Sequence, residues 1–503
     1  MEPHLPRVGI QGHVRRPPSL EGVCEVAGPT TDIEQQAPVQ PVPTVDLRGR
    51  IPGEMGVEAI GVALLAQERP EQSCTSTPTG PERLGRVGAL SGWGGHLPTV
   101  PHDVCRSGLR RLRPGRYGEA VHIVVLNWRD TSNPEGGGSE VYIEELARRW
   151  ARDGHRVTLV CAAHGRAPSL EERHGIRIVR VGNKLTVYSS ARRLLRRGAL
   201  GSVDVVVDTQ NGIPFFARWA TSSPTVMLVH HVHREQWPVV YGPARARVGW
   251  FIESVAAPRA LRGLSYVAVS QATRRELIAQ GIASESIAVV HNGTADLPPV
   301  DDVPDAQPRI LVLGRLVPHK RVEHVLVAAS ILRVRHPGLT VAVVGDGWWA
   351  PHLQEAARRH GVEDLVDFTG QVDEVEKARQ IARAWVLALP SLKEGWGLVI
   401  LEAASRGVPA VAYAEAGGVT ESIVHGDTGL LVAGGEPELA AALGELLADD
   451  ERRWAMGSRA RAHAERFSWD ASAETFMRVL DRAVQAHHPR DHATGQSGYW
   501  VEP

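Results

Sequence analysis

HIVVLNWRDTSNPEGGGSEVYIEELARRWARDGHRVTLVCA, residues 122–162, decides the architecture. Two short apolar runs, HIVVLNW (122–128) and RVTLVCA (156–162), flank a turn-rich DTSNPEGGGS (130–139) and a helix-patterned EVYIEELARRWARDG (140–154). Apolar runs of this length suit strands buried on both faces, and a helix between them brings the next strand in parallel. The pattern continues through RIVRVG (177–182), VDVVVDT (203–209), TVMLVHH (225–231) and YVAVS (266–270). The stretch LPPVDDVPDAQP (297–308) carries four prolines and reads as a linker. Beyond it the alternation restarts with RILVLGRL (309–316), LTVAVVGDG (339–347), DLVDFTG (364–370), AWVLALPS (384–391) and AVAYAEA (410–416), and the end is helical.

The fold class is therefore α/β, with two doubly wound domains facing across a cleft. The expected division is an N-terminal Rossmann-like domain over 119–296, the linker 297–308, a C-terminal Rossmann-like domain over 309–470, a C-terminal helix over 471–488 and a tail over 489–503. Residues 1–118 hold 15 of the 34 prolines and only two aromatic residues. That composition buries too little apolar surface to offset the entropy of ordering. It predicts a disordered or low-complexity leader, or upstream sequence translated from a mis-assigned start.

Composition removes several classes of function. The net charge of −1 gives no support to a general nucleic-acid binder. Four cysteines in 503 residues exclude a disulfide-built scaffold. No uncharged apolar run reaches the roughly 18 residues of a spanning helix, and the first twenty residues lack the apolar region of a secretory signal. These features predict a cytoplasmic protein. Lysine occurs only at Lys184, Lys320, Lys377 and Lys393, against 52 arginines, so each lysine is a candidate for a role that needs a compact ammonium.

Three loops carry chemistry. The first strand leads into Gly136-Gly137-Gly138-Ser139, which is not the dinucleotide fingerprint G-x-G-x-x-G, and no acidic residue follows the second strand to hold a ribose. Its amides can still face an anion at a helix start. The strand RILVLGRL ends at Gly314 and Arg315, with Lys320 five residues later opening a helix. The planar guanidinium and the ammonium form a two-pronged clamp for a diphosphate. The third loop, LKEGWGLVILEA (392–403), follows the strand AWVLALPS. Its small residues admit a ligand close to the backbone, and the amides of Gly397 and Leu398 open the next helix. Glu394 and Glu402 can border one ligand, as acceptors from a sugar diol or as a carboxylate pair for acid–base work.

Glu394-x7-Glu402 with G-R-x-x-x-x-K at 314–320 resembles the retaining glycosyltransferases of family four, which have the GT-B fold. NPEGGGSE (133–140), VVHNG (289–293), VVGDG (343–347) and GDTGLLV (426–432) are similar to that family's recurring loops. The resemblance covers about residues 120–480. It implies a hexosyltransferase that takes a nucleotide-diphosphate sugar as donor and a hydroxyl compound as acceptor. The resemblance also implies that no metal and no cofactor beyond the donor is required. It further implies that Gly314, Arg315 and Lys320 hold the diphosphate, that Glu402 binds the ribose, and that Glu394, Gly395, Gly397 and Leu398 lie by the transferred sugar. Gly137 and Gly138 would approach from the other domain. The family's active-site histidine follows an N-domain strand, which points to His230, although His231 and His233 stand beside it. The alternatives within the fold are a nucleotide-sugar epimerase, a phosphorylase or a non-catalytic sugar-nucleotide binder. A pyridoxal-type phosphorylase would need a cofactor lysine, for which few lysines remain.

Two further stretches bear on partners. In SSARRLLRRGAL (189–200), Arg192, Arg193, Arg196 and Arg197 are expected on one solvated helix side by i, i+4 spacing. The alternative is peripheral contact with an anionic inner-membrane face. The apolar residues of VGWFIESVAAPRAL (248–261) are expected in the core.

Overall fold

The computed structural model describes residues 120–165 and 167–487. The expectations for 1–118 and 489–503 lie outside the described residues.

The first half contains β1 (His122–Leu126), α1 (Gly138–Arg152), β2 (Arg156–Cys161), β3 (Leu170–Arg173), β4 (Ile176–Arg180), α2 (Val187–Arg196), β5 (Val205–Gln210) and β6 (Thr225–Val229). It continues with α3 (Trp237–Val240), α4 (Pro243–Phe251), α5 (Ala257–Ala260), β7 (Ser265–Ala268), α6 (Gln271–Ala279) and β8 (Ile287–Val289). The second half runs β9 (Arg309–Leu313), α7 (Val322–Leu332), β10 (Thr340–Val344), α8 (Ala350–Arg359), β11 (Val366–Gly370), α9 (Glu374–Arg383) and β12 (Val386–Leu389). Then come α10 (Leu398–Ser405), β13 (Ala410–Tyr413), α11 (Val419–Ser422), β14 (Gly429–Val432), α12 (Glu436–Ala448), α13 (Asp450–Ala464) and α14 (Trp469–His487).

The strands form two sheets, ordered β3-β4-β2-β1-β5-β6-β7-β8 and β11-β10-β9-β12-β13-β14. Both are doubly wound. Their order reverses between β1 and β5 and between β9 and β12, and a doubly wound sheet opens a crevice at the carboxyl ends of the strands there. One strand departs from the expected parallel sheet: β3 pairs antiparallel with β4. Its sequence, LEER, alternates exposed and half-buried positions, as an edge strand does.

The apolar runs fill both faces of each sheet. Along β1, Ile123 and Val125 enter one core while Val124 and Leu126 enter the opposite one. Along β9, Ile310 and Val312 part from Leu311 and Leu313 in the same way. Truncating one such side chain to alanine costs about 2–5 kcal/mol. The last helix, α14, returns to the first domain. Its Phe476 meets Trp150 edge-on at 5.3 Å between centroids, and Trp150 Nε1 donates to Ala473 O at 3.1 Å.

Two expectations about surfaces are corrected. Arg192 is buried, whereas Arg193, Arg196 and Arg197 are exposed, so the four arginines of 189–200 do not share one solvated side. The charge of Arg192 acts on the carboxylate of Asp208, which is fully buried and accepts from the amides of Phe215 and Ala217 at 2.8 Å each. In 248–261, Ile252, Ala257 and Leu261 are core, but Val248 and Phe251 stand 36% and 51% exposed. Among the described residues, no helix is long and apolar enough to cross a membrane.

Candidate active site

The loop after β1 is held from behind by a buried carboxylate. Asp130 accepts from Arg180 Nε at 3.0 Å, from Ser132 Oγ at 2.9 Å and from His164 Nε2 at 2.9 Å. Burial pushes its carboxyl up, but the Arg180 hydrogen bonds and charge outweigh that and hold it below the usual range. Asn133 Oδ1 accepts from the amide of Glu135 at 2.9 Å, and Glu140 Oε2 takes the amide of Gly137 at 2.7 Å. The glycine loop is thus fixed at the start of α1.

In the second domain, β9 passes into Gly314 and Arg315, and a 3-10 turn at Pro318–Lys320 precedes α7. Arg321 closes that turn at φ +50°, a left-handed conformation seldom adopted by arginine. Lys320 Nζ donates to Glu394 Oε1 at 2.5 Å. Burial raises the Glu394 carboxyl, but the Lys320 charge and hydrogen bond outweigh it, leaving the group below its ordinary value. Backbone pairing fastens Glu394 as well: its amide donates to Ala416 O at 2.7 Å, and Gly418 N donates to Glu394 O at 3.1 Å. Gly397 sits at φ +87° as the N-cap of α10, a conformation that glycine adopts without strain, so the amide of Leu398 begins the helix free. Glu402, one turn into α10, accepts from Lys377 Nζ at 3.0 Å.

The two domains meet at these loops. Arg315 Nη1 donates to Glu135 O at 3.2 Å. A Cβ on Gly137 would lie 3.0 Å from Arg315 Nε, and one on Gly138 would lie 3.1 Å from Leu398 Cδ1. A Cβ on Gly395 would collide with the backbone oxygen of His230. Gly314, Arg315, Lys320, Glu394, Gly395, Gly397, Leu398, Gly137, Gly138 and His230 therefore belong to loops that meet or adjoin across this cleft. Glu402 lies one turn into α10, tied to Lys377.

The three neighbouring histidines differ. His230 is 6% exposed, packs edge-on against Tyr142 at 5.3 Å, and leaves Nε2 buried without a hydrogen-bond partner. Burial, aided by His233, pushes its imidazole down to about 3, so it is neutral at pH 7. His231 Nε2 contacts Gln236 Oε1 at 3.0 Å, and His233 Nδ1 contacts Glu253 Oε1 at 3.0 Å. Among the described residues, no group of three or more His, Cys, Asp and Glu side chains could hold a metal ion.

Two features were not singled out by sequence reasoning. His319, beside Lys320, is pushed down to about 4 by burial and by the Lys320 charge. Its place inside VPHKR was the available signal. The second is a cavity of about 470 Å³ at the carboxyl ends of β1, β2 and β4, lined by Trp128, Arg129, Asn133, Glu135, His164 and Lys184 among others. Arg129 Nη2 and Lys184 Nζ both pair with Glu135, the latter at 2.7 Å.

Comparison with known proteins agrees with this architecture. The profile described as Glycosyltransferase Family 4 matches residues 136–295, and that described as Glycosyl transferases group 1 matches residues 295–463. D-inositol 3-phosphate glycosyltransferase 2 of Catenulispora acidiphila is 38% identical over 186 residues, 35% of this chain and 43% of that relative. The chain thus spans less than half the length of that relative. D-inositol 3-phosphate glycosyltransferase of Streptomyces scabiei is 34% identical over 447 residues, covering 77% of this chain and 98% of the relative. The solved sucrose-phosphate synthase of Thermosynechococcus elongatus superposes with a TM-score of 0.64 at 20% identity, over 73% of this chain and 100% of that one, which establishes the shared fold. Two doubly wound domains and the matches across both halves give one assignment: the chain belongs to the family-four glycosyltransferases and has the GT-B fold.

Proposed function

We propose that the chain transfers a hexose from a nucleotide-diphosphate sugar to a hydroxyl acceptor, with retention at the anomeric carbon and without metal or cofactor. The observation that carries this reading is the convergence of Arg315, Lys320 and Glu394 with the glycine loop across the cleft.

Arg315 and Lys320 offer the fork and the point charge that a diphosphate needs, and the open amides at the start of α10 add partial positive charge. In the transfer, the bond between the anomeric carbon and the diphosphate oxygen breaks, and negative charge grows on that oxygen. Fixed cations there stabilise the transition state more than the ground state. The acceptor oxygen forms the new bond on the face the diphosphate leaves, and its proton passes to the departing oxygen. Glu402 accepts from the ribose hydroxyls. Glu394, held by Lys320, accepts from a sugar hydroxyl. His230, neutral and with an unpartnered buried Nε2, can hydrogen-bond to the transferred sugar.

The acceptor enters through the cavity beside the glycine loop. Arg129 and Lys184 there suit a small polyol that carries an anionic group, the chemistry named in the D-inositol 3-phosphate relatives. The test is turnover of a nucleotide-sugar panel with inositol phosphate, chelator present, reading product configuration by proton NMR. Retention with undiminished rate in chelator is expected. An inverted product, a chelator-abolished rate, or conversion of donor alone to its epimer would overturn the reading.

A further inference from the structure

We infer that helix α6 is the template that sets both halves of the reacting site, and that Lys393 is a positioning residue acting through Glu276. The inference rests on the reading proposed above.

Gln271, Ala272, Thr273 and Glu276 of α6 each make a contact outside their own helix, to α11, to the His230 backbone and to Lys393. Ser270 caps Thr273 N with its hydroxyl at 3.1 Å, which leaves the amides of Gln271 and Ala272 unsatisfied within the helix. Glu421, from α11 of the other domain, takes both at 2.9 Å each, and His291 Nε2 also contacts its carboxylate at 3.2 Å. Thr273 Oγ1 donates to His230 O at 3.0 Å, so α6 fixes the backbone of the histidine. One turn on, Glu276 accepts from Lys393 Nζ. Residues three apart on a helix share a face, so Thr273 and Glu276 present their contacts on the same side.

Lys393 immediately precedes Glu394. Its side chain is 6% exposed against 30% for Glu276, so the pair is largely shielded from screening. The peptide link transmits this anchor to Glu394, whose carboxylate holds Lys320. The histidine and the Glu394–Lys320 pair thus lie on opposite sides of the cleft but refer to one helix. Glu276 Oε2 is buried and has no hydrogen-bond partner, so Lys393 is the main compensation of the carboxylate, with a smaller contribution from the Val232 backbone.

The experiment measures kcat, donor KM and donor dissociation constant for Lys393→Met, Glu276→Gln and the charge-swapped pair Lys393→Glu with Glu276→Lys. Lys393→Met is expected to lower kcat about tenfold to a hundredfold, the scale of a sub-ångström to one-ångström misplacement. Donor affinity should stay within about threefold, because Arg315 and Glu402 make no contact with Lys393 and the Glu394–Lys320 pair shifts without breaking. The swapped pair should recover most of the lost kcat. Glu276→Gln keeps the shape of the side chain and gives the same kcat-selective loss where Lys393→Met fails to fold. Wild-type kcat in both single variants, or equal losses in kcat and donor affinity, would overturn the inference while leaving the transferase reading intact. No turnover by the wild-type chain would overturn both.

Discussion

Lys320 Nζ and Glu394 Oε1 stand 2.5 Å apart, and this pair ties the loop after β9 to the loop after β12 across the switch point of the second sheet. Both side chains are mostly buried, at 20% and 13% exposed. Lys320→Met removes a diphosphate cation and strands a buried carboxylate. The expected result is a loss of about 3 kcal/mol in urea unfolding and at least about 100-fold in turnover. Adding Glu394→Gln should restore most of the stability and none of the turnover. Independent stability losses in the two variants would contradict the pairing.

Close approach of the domains makes two glycines sensitive. Gly395→Ala drives a methyl group into the backbone oxygen of His230, and Gly137→Ala presses on Arg315. Gly395 faces backbone, which cannot rotate away, while Gly137 faces a flexible side chain. Gly395→Ala should therefore cost about 1–3 kcal/mol and most of the activity, and Gly137→Ala less than about 1 kcal/mol. Thermal melting and initial rates rank the two variants.

Much of this arrangement is legible in the sequence, for a physical reason. Strands buried on both faces, such as β1, β9 and β12, read as apolar runs, and the loops at their carboxyl ends carry Gly137, Arg315, Lys320 and Glu394. β3 has no apolar signature because it is an edge, and β8 is only three residues long. Arg192 misleads because i, i+4 spacing groups residues on a face without saying which face is buried. Arg129, Lys184 and His319 gain their places from loops brought together by folding, which no local spacing reveals. Lys184, Lys320, Lys377 and Lys393 each reach a carboxylate, on Glu135, Glu394, Glu402 and Glu276 respectively.

The pH dependence of stability follows from the buried histidines. His230 and His319 are pushed down to about 3 and about 4, below the ordinary value of about 6.5 that the unfolded chain shows. A depressed folded value contributes stability above about pH 6.5, and that contribution is lost as pH falls toward the folded value. Urea midpoints should drop between pH 7 and pH 5. His319→Asn should show a shallower drop than the wild type, and an unchanged slope would contradict the burial argument.

Acceptor and donor binding should separate by site. Lys184→Met and Arg129→Gln remove cations from the cavity after β1 without touching the diphosphate clamp. An acceptor KM raised about tenfold, with donor KM unchanged, is expected from the loss of one charged hydrogen bond. Steady-state kinetics with either substrate varied provide the check.

Arg315, Lys320 and Glu402, on the reading proposed above, hold a nucleotide-diphosphate sugar in the cleft. Thermal unfolding across a panel of such donors measures whether they do. At one hundred times its dissociation constant, a bound donor adds about 2.7 kcal/mol of stability. One donor class should stabilise the wild-type chain to that degree and leave Lys320→Met and Glu402→Gln unshifted. Stabilisation by no donor, or equal stabilisation of wild type and both variants, would contradict it.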